Sequence, residues 1–412
     1  MRRSYRFKTY YTLSLLVLIY MFDFADRKIM SVLYPHIKEE WLISDTQLSM
    51  IGGIVSLVIA VFVIPASIMV DRWSRKKMII LMVFVWSLMT LLCAFAQNYH
   101  QLLLFRAMIG IGEAAYAPAA IALISKLFPA NRRGIYIGIY DAASPLGIAL
   151  GMIIGGYIGM IYGWRYALGL VAIPGFILTL LFFFAKDYKT LPIYIDKTKA
   201  SFNFSTISLI FSKQSLLFVF IAFAGVVGVN TAMIDWAPSF FVRFHGLTEH
   251  EAGNVSALIA VSVLIGAPLG GWAGDRLSQF RKNGLLLVAC IATLLSSISL
   301  FCAVYIQNVY IATIAFCLFG VTSIACLAPG TAVIQNVVQA GIRSVAYGIN
   351  VLIMNVFGAF LCVYAVGLIS DAHNLRTGLL LLPFVMGGAS VFFYLASRVY
   401  QKDYAAVSKE VL

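Results

Sequence analysis

The sequence predicts an all-α integral membrane protein with twelve transmembrane helices, and three observations support that class. The chain has 412 residues, of which 61% are hydrophobic and only 11% are charged, whereas about 25% of a typical soluble domain is charged. Twelve apolar segments are each long enough to cross a bilayer as a helix. No segment alternates apolar and polar residues over about ten positions, as a membrane β-barrel strand does.

The twelve predicted spans fall into two sets of six. Their limits are near 10–33, 46–70, 77–97, 101–127, 133–160, 165–185, 214–242, 250–274, 284–305, 308–338, 341–369 and 377–398. The one long polar stretch is 186–213, which we interpret as a cytoplasmic linker with a short surface helix near 205–212. It separates an N-terminal bundle, 1–185, from a C-terminal bundle, 214–412.

The net charge of +13 has a topological interpretation. In a soluble protein it would suggest a nucleic-acid partner, but here the basic residues lie in short loops between apolar spans. The N-terminus, the even-numbered loops and the C-terminus hold 23 of the 30 Lys and Arg residues. Positively charged loops stay in the cytoplasm, so we expect both termini there. The compact loops and short tails favour a bacterial inner membrane.

The two halves repeat each other weakly. The matched stretches, each followed by its second-half counterpart, are PASIMVDRWSRKK (65–77) with APLGGWAGDRLSQFRK (267–282), YAPAA (116–120) with LAPGT (327–331), and ANRRGIYIG (130–138) with AGIRSVAYG (340–348). Equivalent loops in two halves indicate a duplication. Such repeats are typical of transporters with a central binding site.

Two charged residues lie inside the fourth span, where each costs at least a few kcal/mol. Arg106, Gly110 and Glu113 are spaced i, i+4 and i+7, so they share one helix face. Tyr116 lies close to that face. We predict that this face binds substrate, because ionisable residues within a membrane usually mark functional sites. In the alternative, Arg106 only neutralises Glu113 or an acid on the first span.

The first span carries a second charged group. Asp23 and Asp26 are one turn apart and face similarly, whereas Arg27 points about 100° away from Asp26. An acid of this span near Glu113 would form a charged cluster in a cavity of low dielectric constant, where a carboxyl group can bind a proton. In the alternative, Asp26 and Arg27 form an extracellular gate contact.

Candidate gating residues are charged and lie near the predicted cytoplasmic ends of the spans. They are Asp71, Arg72, Arg75, Arg132, Arg133, Asp141, Asp275 and Arg276. Charged pairs at these ends can hold the two halves together in one state and release them in the other. For Asp141, solvation of the cavity mouth is the alternative to a gate contact with Arg132 or Arg133.

The second half has few charges within its spans, so its candidates for the cavity wall are mostly uncharged. They are Asn230, Asp235, Trp236, Gln335, Asn336, Asn350 and Asn355. We select Asn230 and Asn355, although periodicity alone does not single out any of the seven. A charged first half and an apolar second half would suit an amphiphile with an anionic or zwitterionic head.

Two rows of glycine at four-residue spacing predict close helix crossings. They are Gly147, Gly151 and Gly155 in the fifth span, and Gly266, Gly270 and Gly274 in the eighth.

The stretch DRWSRKK (71–77) resembles the signature Gly-x-x-x-Asp-Arg-x-Gly-Arg-Lys of the major facilitator superfamily. Ser67 and Ser74 stand where that signature has glycine, while the second-half copy keeps Gly271. The resemblance extends over the whole chain. It implies a transporter fold of two pseudo-symmetric six-helix halves.

Within the superfamily the chain resembles the Spinster-like transporters. The stretches that carry the likeness are FADRKIMSVLYPHIKEEWLISDTQLS (24–49), RAMIGIGEAAYAP (106–118) and GWRYAL (163–168). The related organic-anion symporters share the Asp-Arg pair and the arginine of span four, but more often have glycine after the glutamate. Ala114 and Tyr116 therefore favour the Spinster side. That family implies transport of amphiphiles such as lysolipids or sphingoid phosphates.

Together these observations predict a proton-coupled secondary transporter working by alternating access. Arg106 would engage the anionic part of the substrate, and Glu113 and Asp26 would bind protons or the substrate's cationic part. Tyr116, Asn230 and Asn355 complete the predicted binding set. The alternative is a proton-coupled importer of small organic anions such as sugar acids.

Other classes of function lack the necessary motifs. The sequence has no constellation of nucleophile and base, no HExxH, no CxxC and no P-loop. We therefore expect no enzyme activity, cofactor, metal or nucleic-acid partner. The expected partners of the chain, a monomer in the bilayer, are its small-molecule substrate and protons.

Overall fold

The predicted all-α class is confirmed. The structure, a computed structural model, describes residues 2–410 apart from 73, 115, 130–132, 186–203 and 340–341. Throughout these described ranges the regular structure is helical, with no strand. The chain divides into two compact units, each considered by itself.

The first unit comprises residues 1–193 and 234–261. Its helices are α1 (Arg2–Trp41), α2 (Asp45–Arg72), α3 (Arg75–Ala94), α4 (Tyr99–Glu113), α5 (Tyr116–Leu127), α6 (Arg133–Asp141), α7 (Ala143–Tyr162) and α8 (Trp164–Phe182). Residues 234–261 add the adjoining ends of two further helices, α10 (Gln214–His245) and α11 (Glu249–Ser278).

The second unit comprises residues 194–233 and 262–412. Besides the remaining parts of α10 and α11, it contains α9 (Phe204–Phe211), α12 (Gly284–Tyr305), α13 (Val309–Ile324), α14 (Leu327–Asn336), α15 (Arg343–Ile353), a π-helical segment (Met354–Phe360), α16 (Leu361–Ala372) and α17 (Leu375–Glu410). Helix α9 matches the short helix expected near 205–212. Most of the predicted linker, 186–203, lies outside the described residues, and the division into 1–185 and 214–412 stays a prediction.

Several helices begin or end at residues suited to those positions. The side chains of Ser74 and Asn98 accept hydrogen bonds from the backbone N–H groups of Lys77 and Gln101, which caps α3 and α4. Gly163 separates α7 from α8 with a φ of 87°, a conformation that favours glycine. These local signals set the helix boundaries between the longer apolar runs.

The two rows of glycine pack as the sequence predicts. A Cβ at Gly147 or Gly151 of α7 would overlap a backbone carbonyl of α1. One at Gly266 or Gly270 of α11 would overlap a backbone carbonyl of α13 or of the residue that caps it, Ala325. Each row therefore lets two helix backbones touch within one unit. In the first unit the contact fixes α7 against the part of α1 that carries its charged residues.

The predicted fourth and tenth spans are each assigned as two helices, and the internal repeat is visible in their boundaries. Helix α5 begins at Tyr116 and α14 at Leu327, which are the first residues of the matched stretches YAPAA and LAPGT. Both helices have proline in their first turn, where its missing N–H costs no helical hydrogen bond.

Eleven stretches of the described residues are long and apolar enough to cross a membrane. The stretches begin at Asp45 and follow the predicted spans two to twelve. Helix α1 is not among them, because four charged residues between 23 and 28 interrupt its apolar sequence.

Candidate functional site

A cluster of five ionisable side chains lies in the interior of the first unit. Asp23, Asp26 and Arg27 come from α1, and Arg106 and Glu113 come from α4. The two aspartates, Arg106 and Glu113 are each no more than 3% exposed. We call these five residues the charge cluster. Buried charges are stable only when they are paired or hydrogen-bonded. The contacts within the cluster are therefore needed to stabilise its charges.

Arg27 is the partner of two carboxylates. Its Nε lies 2.7 Å from Oε2 of Glu113. The same Nε donates to Oδ1 of Asp23 at 3.3 Å, and Nη2 donates to Oδ2 of Asp23 at 3.2 Å. The alternative in which Arg106 neutralises Glu113 is therefore not the pairing found, because Glu113 pairs with Arg27 of α1.

Arg106 is held by backbone carbonyls. Its Nε donates to the carbonyl of Ile51 at 3.4 Å, and its Nη2 donates to the carbonyl of Arg27 at 3.3 Å. Its Nη1 is buried without a hydrogen-bond partner among the described residues. Gly110, one turn further along α4, permits this approach to α2, because a Cβ there would meet Val55 and Val58.

Asp26 has a hydrogen-bond partner on a different helix, α3. The hydroxyl of Thr90 on α3 donates to its Oδ2. Arg106 is close enough to Asp26 to attract it electrostatically. Oδ1 of Asp26 has no hydrogen-bond partner within the described part of the chain. Asp26 and Arg106 thus each keep an unused hydrogen-bonding atom in the interior of the unit.

Aromatic rings cover one side of the cluster. The hydroxyl of Tyr116 donates to the carbonyl of Leu16 at 2.7 Å, which ties α5 to α1. Tyr20 stacks on Tyr140 with ring centroids 4.2 Å apart. The ring of Trp86 lies edge-on to Tyr116 at 5.4 Å. Tyr116 therefore has a structural contact, and its predicted contact with substrate stays a prediction.

Further ion pairs connect α1 and α2 with α10 and α11 inside the first unit. Lys28 binds Asp235 at 2.5 Å. Asp45 accepts from both Nη atoms of Arg243, at 2.7 and 2.9 Å, and also from Lys38 at 2.6 Å. The pairs of Asp45 lie at the turn between α1 and α2, because Lys38 is in the last turn of α1 and Asp45 begins α2.

The second unit places its two predicted binding residues in neutral surroundings. Oδ1 of Asn230 accepts from the hydroxyl of Ser323 at 2.8 Å, which links α10 to α13. Asn355 lies in the π-helical segment, is half-buried, and donates to the carbonyl of Val351 at 2.9 Å. A role for either residue in binding stays a prediction.

The candidate gating residues of the first unit are only partly described. Asp71 and Arg72 end α2, but their side chains lie outside the described part of the structure, and Arg132 lies outside it altogether. Arg75 begins α3 and is half-buried. Arg133, at the start of α6, is exposed and donates to the carbonyl of Phe128 at 3.3 Å.

Three further gating candidates are exposed. Asp141 is the last residue of α6, and Asp275 and Arg276 lie near the end of α11. The guanidinium of Arg276 lies 5.7 Å from the ring centroid of Phe280. Gating roles for all of these residues stay predictions.

Residues 16–362 match the model of a protein family described as the Major Facilitator Superfamily. The chain belongs to that superfamily. It is an integral membrane transporter of small-molecule substrates and not an enzyme, and its fold is the predicted one of twelve helices in two pseudo-symmetric halves. The predicted likeness to the Spinster group is also confirmed.

The chain is similar to several curated relatives. It is 27% identical to an MFS-type efflux pump of Mycolicibacterium smegmatis, over 94% of this chain and 92% of the pump. It is 26% identical to the hexuronate transporter of Bacillus subtilis, over 65% and 67%. It is 25% identical to a probable sphingolipid transporter, spinster homolog 1, of Arabidopsis thaliana, over 70% and 64%.

The fold is also similar to a solved structure. A bacterial homolog of the human lysosomal transporter Spinster, in an inward-facing and unoccupied conformation, superposes with a TM-score of 0.86. It is 22% identical over 96% of this chain and 98% of that one.

The part of the site that sequence reasoning missed is the double contact of Arg27. Its signal was present, because Asp23 and Arg27 are spaced i, i+4, a spacing at which opposite charges meet on a helix. The pairing of Lys28 with Asp235 had no such signal, since 207 positions separate the two residues.

Proposed function

We propose that this transporter moves an amphiphilic or anionic small molecule, of the lysolipid or sphingoid-phosphate kind, by proton-coupled alternating access. The single observation that carries this proposal is the buried guanidinium of Arg106 with an unused Nη1. A buried donor without a partner is costly, so this group is suited to an anion that completes its hydrogen bonds.

The chemistry of Arg106 favours a carboxylate or phosphate ligand. A guanidinium presents several donors in a planar fork that fits such anions and remains charged at any physiological pH. Since Arg106 donates to two carbonyls and not to a carboxylate, its charge is only partly compensated by its direct contacts. The likeness to a probable sphingolipid transporter supports a lipid-like anion.

The carboxyl groups of Asp26 and Glu113 supply the proposed proton coupling. Each is buried near a guanidinium, so each can exchange a proton against an ion pair as the surroundings change. An anion that binds to Arg106 would thus also change the charge that surrounds Asp26. The exchange ties the protonation of the cluster to the binding of substrate.

The test is uptake of a radiolabelled lysolipid and of a sugar acid into proteoliposomes with an imposed pH gradient. We expect Arg106→Ala and Glu113→Gln to reduce lysolipid transport at least tenfold. Arg398→Ala and Glu39→Gln, which change exposed residues of the same types, should leave transport unchanged. Wild-type rates for folded Arg106→Ala and Glu113→Gln proteins would refute the proposed roles.

The second candidate function is proton-coupled import of small organic anions such as sugar acids. The likeness to a hexuronate transporter favours it, and Arg106 would bind the carboxylate. In the uptake assay above, transport of the sugar acid without transport of the lysolipid would establish this candidate and exclude the first.

We further propose that the protein is a monomer in a bacterial inner membrane and that both of its termini lie in the cytoplasm. In this proposal the charged candidate residues at the cytoplasmic helix ends form the gates. Leu42, 89% exposed in the turn between α1 and α2, and Tyr404, exposed near the C-terminal end of α17, provide probes. In intact cells, an impermeant thiol reagent should label Leu42→Cys but not Tyr404→Cys. The opposite pattern would overturn the topology.

A further inference from the structure

A cavity of about 650 Å³ lies in the second unit, near the ends of α11, α14 and α17 and the start of α12. Its wall includes Ser278, Lys282, Leu285, Asn336, Tyr400 and Tyr404. We propose that this cavity binds the phosphate group of an anionic phospholipid. The inference goes beyond the proposed transport function and does not depend on it.

The wall of the cavity has a net positive charge among its described residues. Lys282 has no ion pair in the described part of the chain, and the described residues of the wall include no acid. Arg281 and Lys402 adjoin wall residues in the sequence and add to the positive charge. The neighbouring Asp403 is buried against α10, where it accepts from the backbone and side chain of Ser215. The cavity therefore attracts an anion.

Tyr400 supplies a buried hydrogen-bond donor to the cavity. It is only 5% exposed, and its hydroxyl oxygen accepts from Nδ2 of Asn336 at 3.4 Å. The hydroxyl proton of Tyr400 itself has no acceptor among its described contacts. A buried donor without a partner is costly, and a phosphate oxygen is a strong acceptor for it. Asn336, a sequence candidate for the wall of the substrate cavity, thus orients a donor of this cavity.

The start of α12 adds backbone donors to the same cavity. Asn283 precedes α12 but makes no side-chain hydrogen bond to its first turn, and its Nδ2 donates instead to the carbonyl of Ser397 at 3.4 Å. Leu285, in that first turn, lines the cavity. The N–H groups and the partial positive charge at the start of a helix stabilise an anion such as phosphate. Lys282, Tyr400 and the start of α12 therefore offer three kinds of donor to one anion.

The surroundings of the cavity favour a lipid over a soluble ion as the source of the phosphate. Phe280, which lies between Ser278 and Lys282 in the sequence, is 73% exposed, and Tyr404 in the wall is 49% exposed. Exposed aromatic residues at the ends of membrane-spanning helices lie at the level of the lipid head groups. Basic pockets between such helix ends bind anionic head groups. The bilayer can therefore supply the phosphate directly.

Native mass spectrometry of the full chain, delipidated in detergent, tests the inference by titration with dioleoyl phosphatidylglycerol or with zwitterionic dioleoyl phosphatidylcholine. We expect Lys282→Met and Tyr400→Phe each to weaken binding of phosphatidylglycerol about fivefold and to leave binding of phosphatidylcholine unchanged. The matched controls Lys402→Met and Tyr394→Phe, at exposed residues of α17 outside the cavity wall, should leave both unchanged. Equal losses for Lys282→Met and Lys402→Met would show diffuse attraction to a basic surface and overturn the proposal.

Two further measurements complete the test. Inorganic phosphate at the same concentration as the lipid should leave binding of phosphatidylglycerol unchanged, and its displacement of the lipid would assign the cavity to a soluble anion. Lys282→Glu covers the case in which Tyr400→Phe does not fold, as judged by size-exclusion chromatography. We expect this reversal of an exposed charge to abolish the preference for phosphatidylglycerol over phosphatidylcholine, and a retained preference would contradict the proposed site.

Discussion

The interiors of the two units differ in the polar groups that they bury, which are charged in the first unit and mostly neutral in the second. Among the described residues, the first unit buries six charged side chains: Asp23, Asp26, Asp45, Arg106, Glu113 and Asp235. The second buries one, Asp403, which accepts from the backbone and side chain of Ser215. Its other interior contacts are neutral, such as the Asn230–Ser323 hydrogen bond.

The buried charges of the first unit need an explanation other than stability. Replacing a buried ion pair with apolar residues is often neutral or stabilising, so the charges of the first unit are poorly explained by stability alone. Among the described residues, Asp403 is the one charged side chain that the second unit buries. The buried charges are therefore concentrated in the first unit.

The largest effect is expected from Arg27→Met, which removes the arginine shared by two buried carboxylates. Breaking a buried pair on one side costs about 3–5 kcal/mol. We expect a corresponding loss in the free energy of unfolding in detergent, measured by tryptophan fluorescence during denaturation.

The control is Arg398→Met in the second unit, where an exposed arginine donates only to the hydroxyl of Tyr394 among its described contacts. It should change stability by less than about 1 kcal/mol. Equal losses for the two variants would show that Arg27 does not compensate buried charge, and would remove the contrast between the units.

An intermediate effect is expected from Ser323→Ala in the second unit. The change leaves Oδ1 of Asn230 buried without its donor, which costs about 1–3 kcal/mol. Adding Asn230→Leu should recover part of the loss, because both partners are then apolar. If the double variant is less stable than Ser323→Ala, apolar side chains do not replace the hydrogen bond between Asn230 and Ser323. That result would support a binding role for Asn230.

The smallest effect is expected at the end of α1, beyond its predicted span. Nδ1 of His36 lies 2.9 Å from Oε2 of Glu249, and the contact with this carboxylate raises the pKa of His36 above its ordinary value of 6.5. A raised pKa means that the protonated histidine stabilises the fold. The contribution is complete below pH 6.5 and disappears as pH rises through the raised value.

We therefore expect His36→Gln to reduce the free energy of unfolding by about 0.5 kcal/mol at low pH, measured as a slightly lower thermal unfolding temperature. At high pH the variant and the wild type should unfold at the same temperature. His373→Gln, at an exposed site of the second unit, should give a difference that does not vary with pH in this way. A constant deficit for His36→Gln would show that packing, and not charge, holds this contact.

Much of the fold could be predicted from the sequence because hydrophobic length and repetition are local properties. The spans, the two glycine rows and the helix near 205–212 all follow from patterns within about thirty residues. The placement of Arg106 and Glu113 on α4 follows from helical spacing in the same way, and both are buried.

The partners of those charges could not be predicted in full. Which acid meets which arginine depends on the rotation of α1 about its own axis, and α1 is held by backbone contacts with α7 such as that of Ala25 with Gly151. The sequence indicates Arg106 as the partner of Glu113 only in the alternative interpretation, and the partner in the structure is Arg27. The links from Asp235 to Lys28 and from Arg243 to Asp45 join distant parts of the chain, so no local pattern contains them.

The glycine contacts of the first unit have a consequence for mutational tolerance. Besides Gly147 and Gly151, Gly52 faces the hydroxyl of Tyr34, and Gly110 faces the backbone of Val55. None of these glycines carries a functional group, yet even a methyl group at any of them would displace a neighbouring helix or side chain. In a library of single substitutions, such positions should therefore be as intolerant as residues that bind substrate, because of packing alone.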